Sequence, residues 1–188
     1  MFGKGLILGK RIKRILHRAL KTAKYQNIED FDTKFVATAC DILSGEQVVI
    51  NSGNILDAIM ASISIPGAFR PVEKDGMLLV DGGVIDNMPI KQARDLGTDI
   101  VLGIDVQSVY KNDGHNSNWF SLGINGLNRL LVSLANLKQD RGDMCIDIEQ
   151  LEGCNLHRFN KDLTKRLIEY GRQCTIEALP EIKRLLEQ

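Results

Sequence analysis

Leu8, Ile12, Ile15, Leu16, Ala19 and Leu20 recur at the three-to-four-residue spacing of a helix. Lys10, Arg11, Lys13, Arg14, Arg18 and Lys21 fill much of the other face, which predicts a basic amphipathic helix. The pattern then changes period. Lys34 to Ile42 is β-branched and largely apolar, as a buried strand is, and Gln47 to Asn51 follows a turn at Ser44 and Gly45 as its hairpin partner. Asn54 is placed to cap a short helix through Met60, which should stop before Pro66. Met77 to Val80 is a short apolar run that ends abruptly in Asp81, Gly82 and Gly83. Pro89 is suited to open a helix to Leu96, with Gly97 ending it. Asp99 to Val106 and Met144 to Ile148 read as strands, Ser108 to Asn118 as a polar loop and Trp119 to Leu137 as a helix. Asp162 to Leu186 is helical in period, with a kink or break expected at Pro180.

Continuously apolar strands alternating with helices predict an α/β fold, a mostly parallel sheet flanked by helices. The chain of 188 residues suits one domain with a sizeable core. No repeat, linker or low-complexity tract divides it.

Charge changes this picture in one place. Lys plus Arg equals Asp plus Glu at 24 each, so no global field favours nucleic acid as a partner. Residues 1 to 28 nevertheless carry eight bases and no acid. Such a helix is either a solvated surface element or a peripheral contact with anionic lipid headgroups. No apolar run approaches the roughly 18 residues of a membrane span. Cys40, Cys145, Cys154 and Cys174 form no C-x-x-C pair, and His17, His115 and His157 have no metal-ligand spacing. A cytoplasmic protein with reduced thiols, membrane-associated if the basic helix holds lipid, is the expectation.

The stretch richest in chemistry is Leu78 to Ile90, LLVDGGVIDNMPI. An acidic residue at the carboxyl end of a short apolar strand lies where open α/β sheets place their sites. Asp81 there is suited to act as a general base, and Gly82 and Gly83 let the backbone turn sharply beside it. The plainer reading is that Asp81 only starts a turn. A third reading takes Asp81, Asp86 and Asp105 as Mg²⁺ ligands of a phosphotransfer site. No phosphate-cradling glycine cluster with a lysine accompanies them.

Ser62 to Pro71 (SISIPGAFRP) precedes this stretch, and the strand ending at Asp105 follows it. The succession from Ala61 to Val106 resembles the C-terminal half of the patatin-like phospholipases, bacterial type. Gly5 to Ile15, Cys145 to Ile148 and the final helix with Gly171 resemble these members too, so the likeness covers most of the chain. It implies that residues 1–188 are the C-terminal portion of a single patatin-like domain. It also implies a Ser–Asp dyad acting on a lipid or acyl-ester substrate, with Asp81 as the base, Gly82 and Gly83 completing its motif, and no cofactor or metal.

The departures from the family matter as much. No serine here lies in the G-x-S-x-G elbow that carries the family's nucleophile, and no glycine-rich loop precedes Asp81 to hold an oxyanion. Ser62 and Ser64 lack flanking glycines and are poor substitutes. The expectation is therefore a hydrolase of which these residues hold only the aspartate. The alternative is an inactive fragment or non-catalytic subunit that needs an N-terminal segment or a partner chain.

Overall fold

A computed structural model of the chain describes residues 6–23, 25–66, 69–106, 140–148 and 161–187. The predicted loop at 108–118 and helix at 119–137 lie outside them. Helix α1 spans Leu6–Ala23. Its inward stripe is Ile12, Leu16 and Leu20, and Leu20 reaches the main core. Among the described residues no helix is long and apolar enough to cross a membrane.

Strands β1 (Ala37–Asp41) and β2 (Glu46–Ile50) form the expected hairpin, with Gly45 at a φ of 74° in its turn. Helix α2 (Ile55–Ser62) follows, and the side chain of Asn54 caps it by accepting from the Asp57 N–H at 3.1 Å. Strands β3 (Val72–Lys74) and β4 (Met77–Asp81) come next. They are joined by Asp75 and Gly76, both at positive φ (51° and 79°), the backbone twist that closes a tight hairpin. These four strands form one sheet in the order β2-β1-β4-β3. All five residues of β1 are buried because it sits inside the sheet beneath α2.

The α/β class is as expected, and helices do cover the strands. The direction of pairing is corrected. β1 pairs antiparallel with both β2 and β4, with Ala39 opposite Asp81 and Cys40 opposite Val80. The apolar continuity of Lys34 to Ile42 reports burial on both faces, and it says nothing about strand direction. The tight turns at Gly45 and at Asp75–Gly76 permit only antiparallel pairing of β1 with β2 and of β3 with β4.

Parallel pairing occurs in a second, two-stranded sheet of β5 (Leu102–Asp105) and β6 (Met144–Asp147). Helix α3 (Ile90–Asp95) packs there through Ile90, with Met88 and Val101, in a smaller apolar cluster. It is also tied to the first sheet: Lys34 Nζ donates to the Leu96 carbonyl at 2.7 Å, and Gln92 Nε2 to Gln47 Oε1 at 2.5 Å. Helix α4 (Lys161–Leu186) continues through Pro180, so the break expected there does not occur. Cys40, Cys145 and Cys174 are free thiols.

One buried carboxylate is explained by structure alone. Asp41, at the end of β1, accepts from the N–H groups of Leu78 (3.0 Å) and Leu43 (3.2 Å) and from the Ser44 hydroxyl (2.9 Å). Burial pushes its pKa up, but these donors together outweigh burial and hold it below the usual carboxylate range. It pins the β1–β2 turn to the start of β4.

Candidate active site

β4 is short and apolar, and its last residue is Asp81. The strand ends there because Gly82 and Gly83 turn at once into a single 3-10 turn, Gly82–Val84, which Asp81 caps. The Asp81 N–H donates to the carbonyl of Ser64 at 3.0 Å, so the end of α2 holds this corner. Asp81 Oδ1 accepts from the Gly83 N–H at 2.8 Å. Among the described residues, nothing donates to Oδ2. The result is a half-buried carboxylate fixed through one oxygen.

Burial raises the Asp81 pKa above the ordinary 3.8, and the Gly83 hydrogen bond only partly opposes it. The native state thus keeps this proton to higher pH than the unfolded chain does. The stability it contributes is complete below 3.8 and is lost as pH rises through the folded pKa. Asp81→Asn removes the buried charge. Its urea midpoint at neutral pH is expected to equal or exceed that of the wild type, and the difference should close below pH 3.8. A clearly lower midpoint at neutral pH would show that the carboxylate stabilises the fold instead.

The two glycines serve different purposes. A Cβ on Gly82 would lie 2.7 Å from the backbone oxygen and the Oγ1 of Thr38 in β1, so the 3-10 turn can lie against β1 only without a side chain. A Cβ on Gly83 would collide with the side-chain oxygen of Asn87 and come within 3.1 Å of Asp81 Oδ1. Gly82 therefore lets the turn pack, and Gly83 leaves room for the Asn87 side chain beside the carboxylate. Neither glycine has a positive φ, so close approach sets their identity.

Asp86 does not join this group. Its Oδ1 accepts from the Met88 N–H at 3.0 Å, which organises the turn leading into α3. Ser64 is buried, and its hydroxyl donates to the Met60 carbonyl at 2.6 Å, turned back on its own helix. It meets Asp81 through its backbone carbonyl alone.

Asp105 is likewise engaged elsewhere. It ends β5 opposite Asp147 of β6, and Arg141 lies between them, 3.7 Å from the Asp105 carboxylate and paired with Asp147. The three aspartates of the magnesium reading are thus not brought together. Among the described residues, no three His, Cys, Asp or Glu side chains group as metal ligands.

Sequence reasoning located Asp81 and its glycines but not the parts that hold them. Thr38, the Ser64 carbonyl and Asn87 come from three other segments. Of these only Asn87 had a signal, its place in the Asn-x-Pro step before α3.

The profile of the patatin-like phospholipases matches residues 1–94, half the chain, including Asp81, Gly82 and Gly83. An NTE family protein of Mycobacterium bovis is 37% identical over 79 residues, which are 42% of this chain and 22% of that protein. The lysophospholipase NTE1 of Pyricularia oryzae is 35% identical over 89 residues, 47% of this chain and 6% of its own length. That of Aspergillus fumigatus is 33% identical over 92 residues, 49% and 6%. The aligned stretch spans less than a quarter of any of these relatives. Cys145 to Ile148 and the last helix lie beyond the matched profile. With Asp81 closing its strand and Gly82 packed too closely on β1 to carry a side chain, the match over half of the molecule establishes that this chain belongs to the patatin-like phospholipase family.

Proposed function

We propose that this chain supplies the general base of a serine acyl hydrolase acting on phospholipids, lysophospholipids or related acyl esters. The nucleophilic serine would come from an elbow outside these 188 residues. The observation that carries this is the Asp81 carboxylate itself. It is half-buried at a strand end, held through Oδ1, without a donor on Oδ2 among the described residues, and raised in pKa by burial. A base of that kind is positioned rigidly and is a stronger proton acceptor than a solvated carboxylate.

In the first half-reaction, Asp81 Oδ2 takes the serine Oγ proton as Oγ bonds to the acyl carbonyl carbon. The carbonyl electrons move onto oxygen, which backbone N–H groups of a glycine-rich loop would hold. The intermediate collapses, the proton passes from Asp81 to the departing alcohol oxygen, and the acyl-enzyme remains. In the second half, Asp81 takes a proton from water, whose oxygen attacks the acyl carbon. The serine then leaves with that proton and the fatty acid is released. The fungal relatives are lysophospholipases by name, which supports lysophospholipid as the first substrate to assay.

The test is reconstitution. Residues 1–188 alone are expected to be inactive on a short-chain acyl ester, because none of their serines lies in an elbow. Fusion behind a segment carrying G-x-S-x-G and a glycine-rich loop should restore hydrolysis, and Ser→Ala in that elbow should abolish it. Hydrolysis by the unextended chain that persists through purification would overturn the reading.

A further inference from the structure

We propose that the outward face of α1 is a docking surface for an anionic lipid bilayer. The inference stands apart from the role of Asp81. It begins with what holds α1 in place. Ile12, Leu16 and Leu20 face the body of the protein, and Lys13 pairs with Asp57 of α2 at 3.1 Å. These contacts account for the inner side of the helix, which packs on α2. The outer side takes no part in them.

On that outer side are Lys10, Arg11, Arg14, Arg18 and Lys21, all exposed. At helical pitch they fall within roughly 100° of arc and extend for about 16 Å. Among the described residues none of the five has a carboxylate partner, and no acid occurs before Glu29 to neutralise them. A stripe of one sign, unpaired and unpacked among the described residues, is complementary to a surface of the opposite sign.

Ile15 decides which surface. It is 57% exposed and lies at the edge of the stripe, beside Arg11 and Arg18. A bilayer offers both layers this face would meet: anionic headgroups for the cations, and an acyl boundary for Ile15 and the apolar stems of the Lys and Arg side chains. A nucleic acid would satisfy the charges but leaves Ile15 in water. Because α2 packs on α1 and on β4, a bilayer held by α1 also keeps a fixed relation to the strand that ends in Asp81.

The experiment is vesicle co-sedimentation of the full chain on phosphatidylcholine alone and on phosphatidylcholine with phosphatidylserine. Binding should require phosphatidylserine and should largely vanish at about 1 M salt, where the screening length is about 3 Å. Each base removed should lower the partition coefficient about five-fold, so the quadruple variant Lys10→Gln, Arg14→Gln, Arg18→Gln, Lys21→Gln should lose more than a hundred-fold. Ile15→Ser should weaken binding on its own at low salt. The control variant Lys165→Gln, Arg166→Gln on α4, matched to the pair Lys10→Gln, Arg14→Gln, should bind as the wild type does, and circular dichroism checks that each protein is folded. Equal binding to neutral and anionic vesicles, equal loss in the α4 variant, or no vesicle binding would overturn the proposal. So would duplex DNA competing as well as anionic vesicles while Ile15→Ser has no effect, which would favour a nucleic-acid surface.

Discussion

Asp81→Asn, in the chain extended by a serine elbow and its glycine loop, is expected to lower kcat about 10²–10⁴-fold with the fold intact. The amide keeps the size of the carboxyl and one acceptor oxygen, so the Gly83 N–H retains its partner. It removes the basic oxygen that the serine proton needs. Because burial raises the Asp81 pKa, kcat/KM of the parent should fall on the acid side with an apparent pKa above the ordinary 3.8. Two neighbours serve as controls. Asp86→Asn should cost far less, since an amide oxygen still accepts from the Met88 N–H. Asp75→Asn should be nearly silent, because Asp75 lies in the β3–β4 turn at a φ of 51°, which asparagine tolerates as well as aspartate. Should Asp86→Asn prove as damaging as Asp81→Asn in folded protein, the assignment of a single base fails.

Gly82→Ala is expected to destabilise the fold by about 1–3 kcal/mol, the usual cost of forcing a methyl group into packed structure. The new carbon would stand 2.7 Å from the Thr38 carbonyl oxygen and 2.8 Å from its carbonyl carbon. Those atoms belong to the backbone of β1, held there by pairing of Thr38 with Val49 of β2 and of the adjacent Ala39 with Asp81 of β4. Gly83→Ala meets the Asn87 side chain instead. A side chain can rotate away, so the loss of stability should be smaller, while activity should suffer because the space beside Asp81 Oδ1 narrows. Urea denaturation of the two variants side by side checks this. A Gly83→Ala variant less stable than Gly82→Ala would mean that the 3-10 turn, rather than β1, is the part that yields.

Much of this was legible along the chain because it depends on short-range chemistry. The β1–β2 hairpin follows from two β-branched, largely apolar runs and a glycine in the turn between them, and the α2 cap from one asparagine next to an apolar run. The end of β4 at Asp81 follows from two glycines that stop a strand. Each lies within a few residues of its cause, where side-chain period and backbone freedom act directly. Strand β3 was missed because its three residues, Val72 to Lys74, are mostly polar and paired on one edge only.

Direction and partnership were decided elsewhere. Nothing local in an apolar run tells whether its neighbour runs with it or against it; the tight turns fix β1–β2 and β3–β4, and only the tertiary path through α2 lays β4 antiparallel beside β1. The sequence by itself determined that a carboxylate would stand at the end of β4. Only the tertiary structure anchored and half-buried it, by bringing the Ser64 carbonyl to its N–H and Thr38 against Gly82. The same folding turned Asp86 to the Met88 N–H and Asp105 to Arg141. The pKa of a carboxyl depends on water excluded and donors supplied by segments far along the chain, so three similar aspartates acquire different chemistry only when the chain is folded.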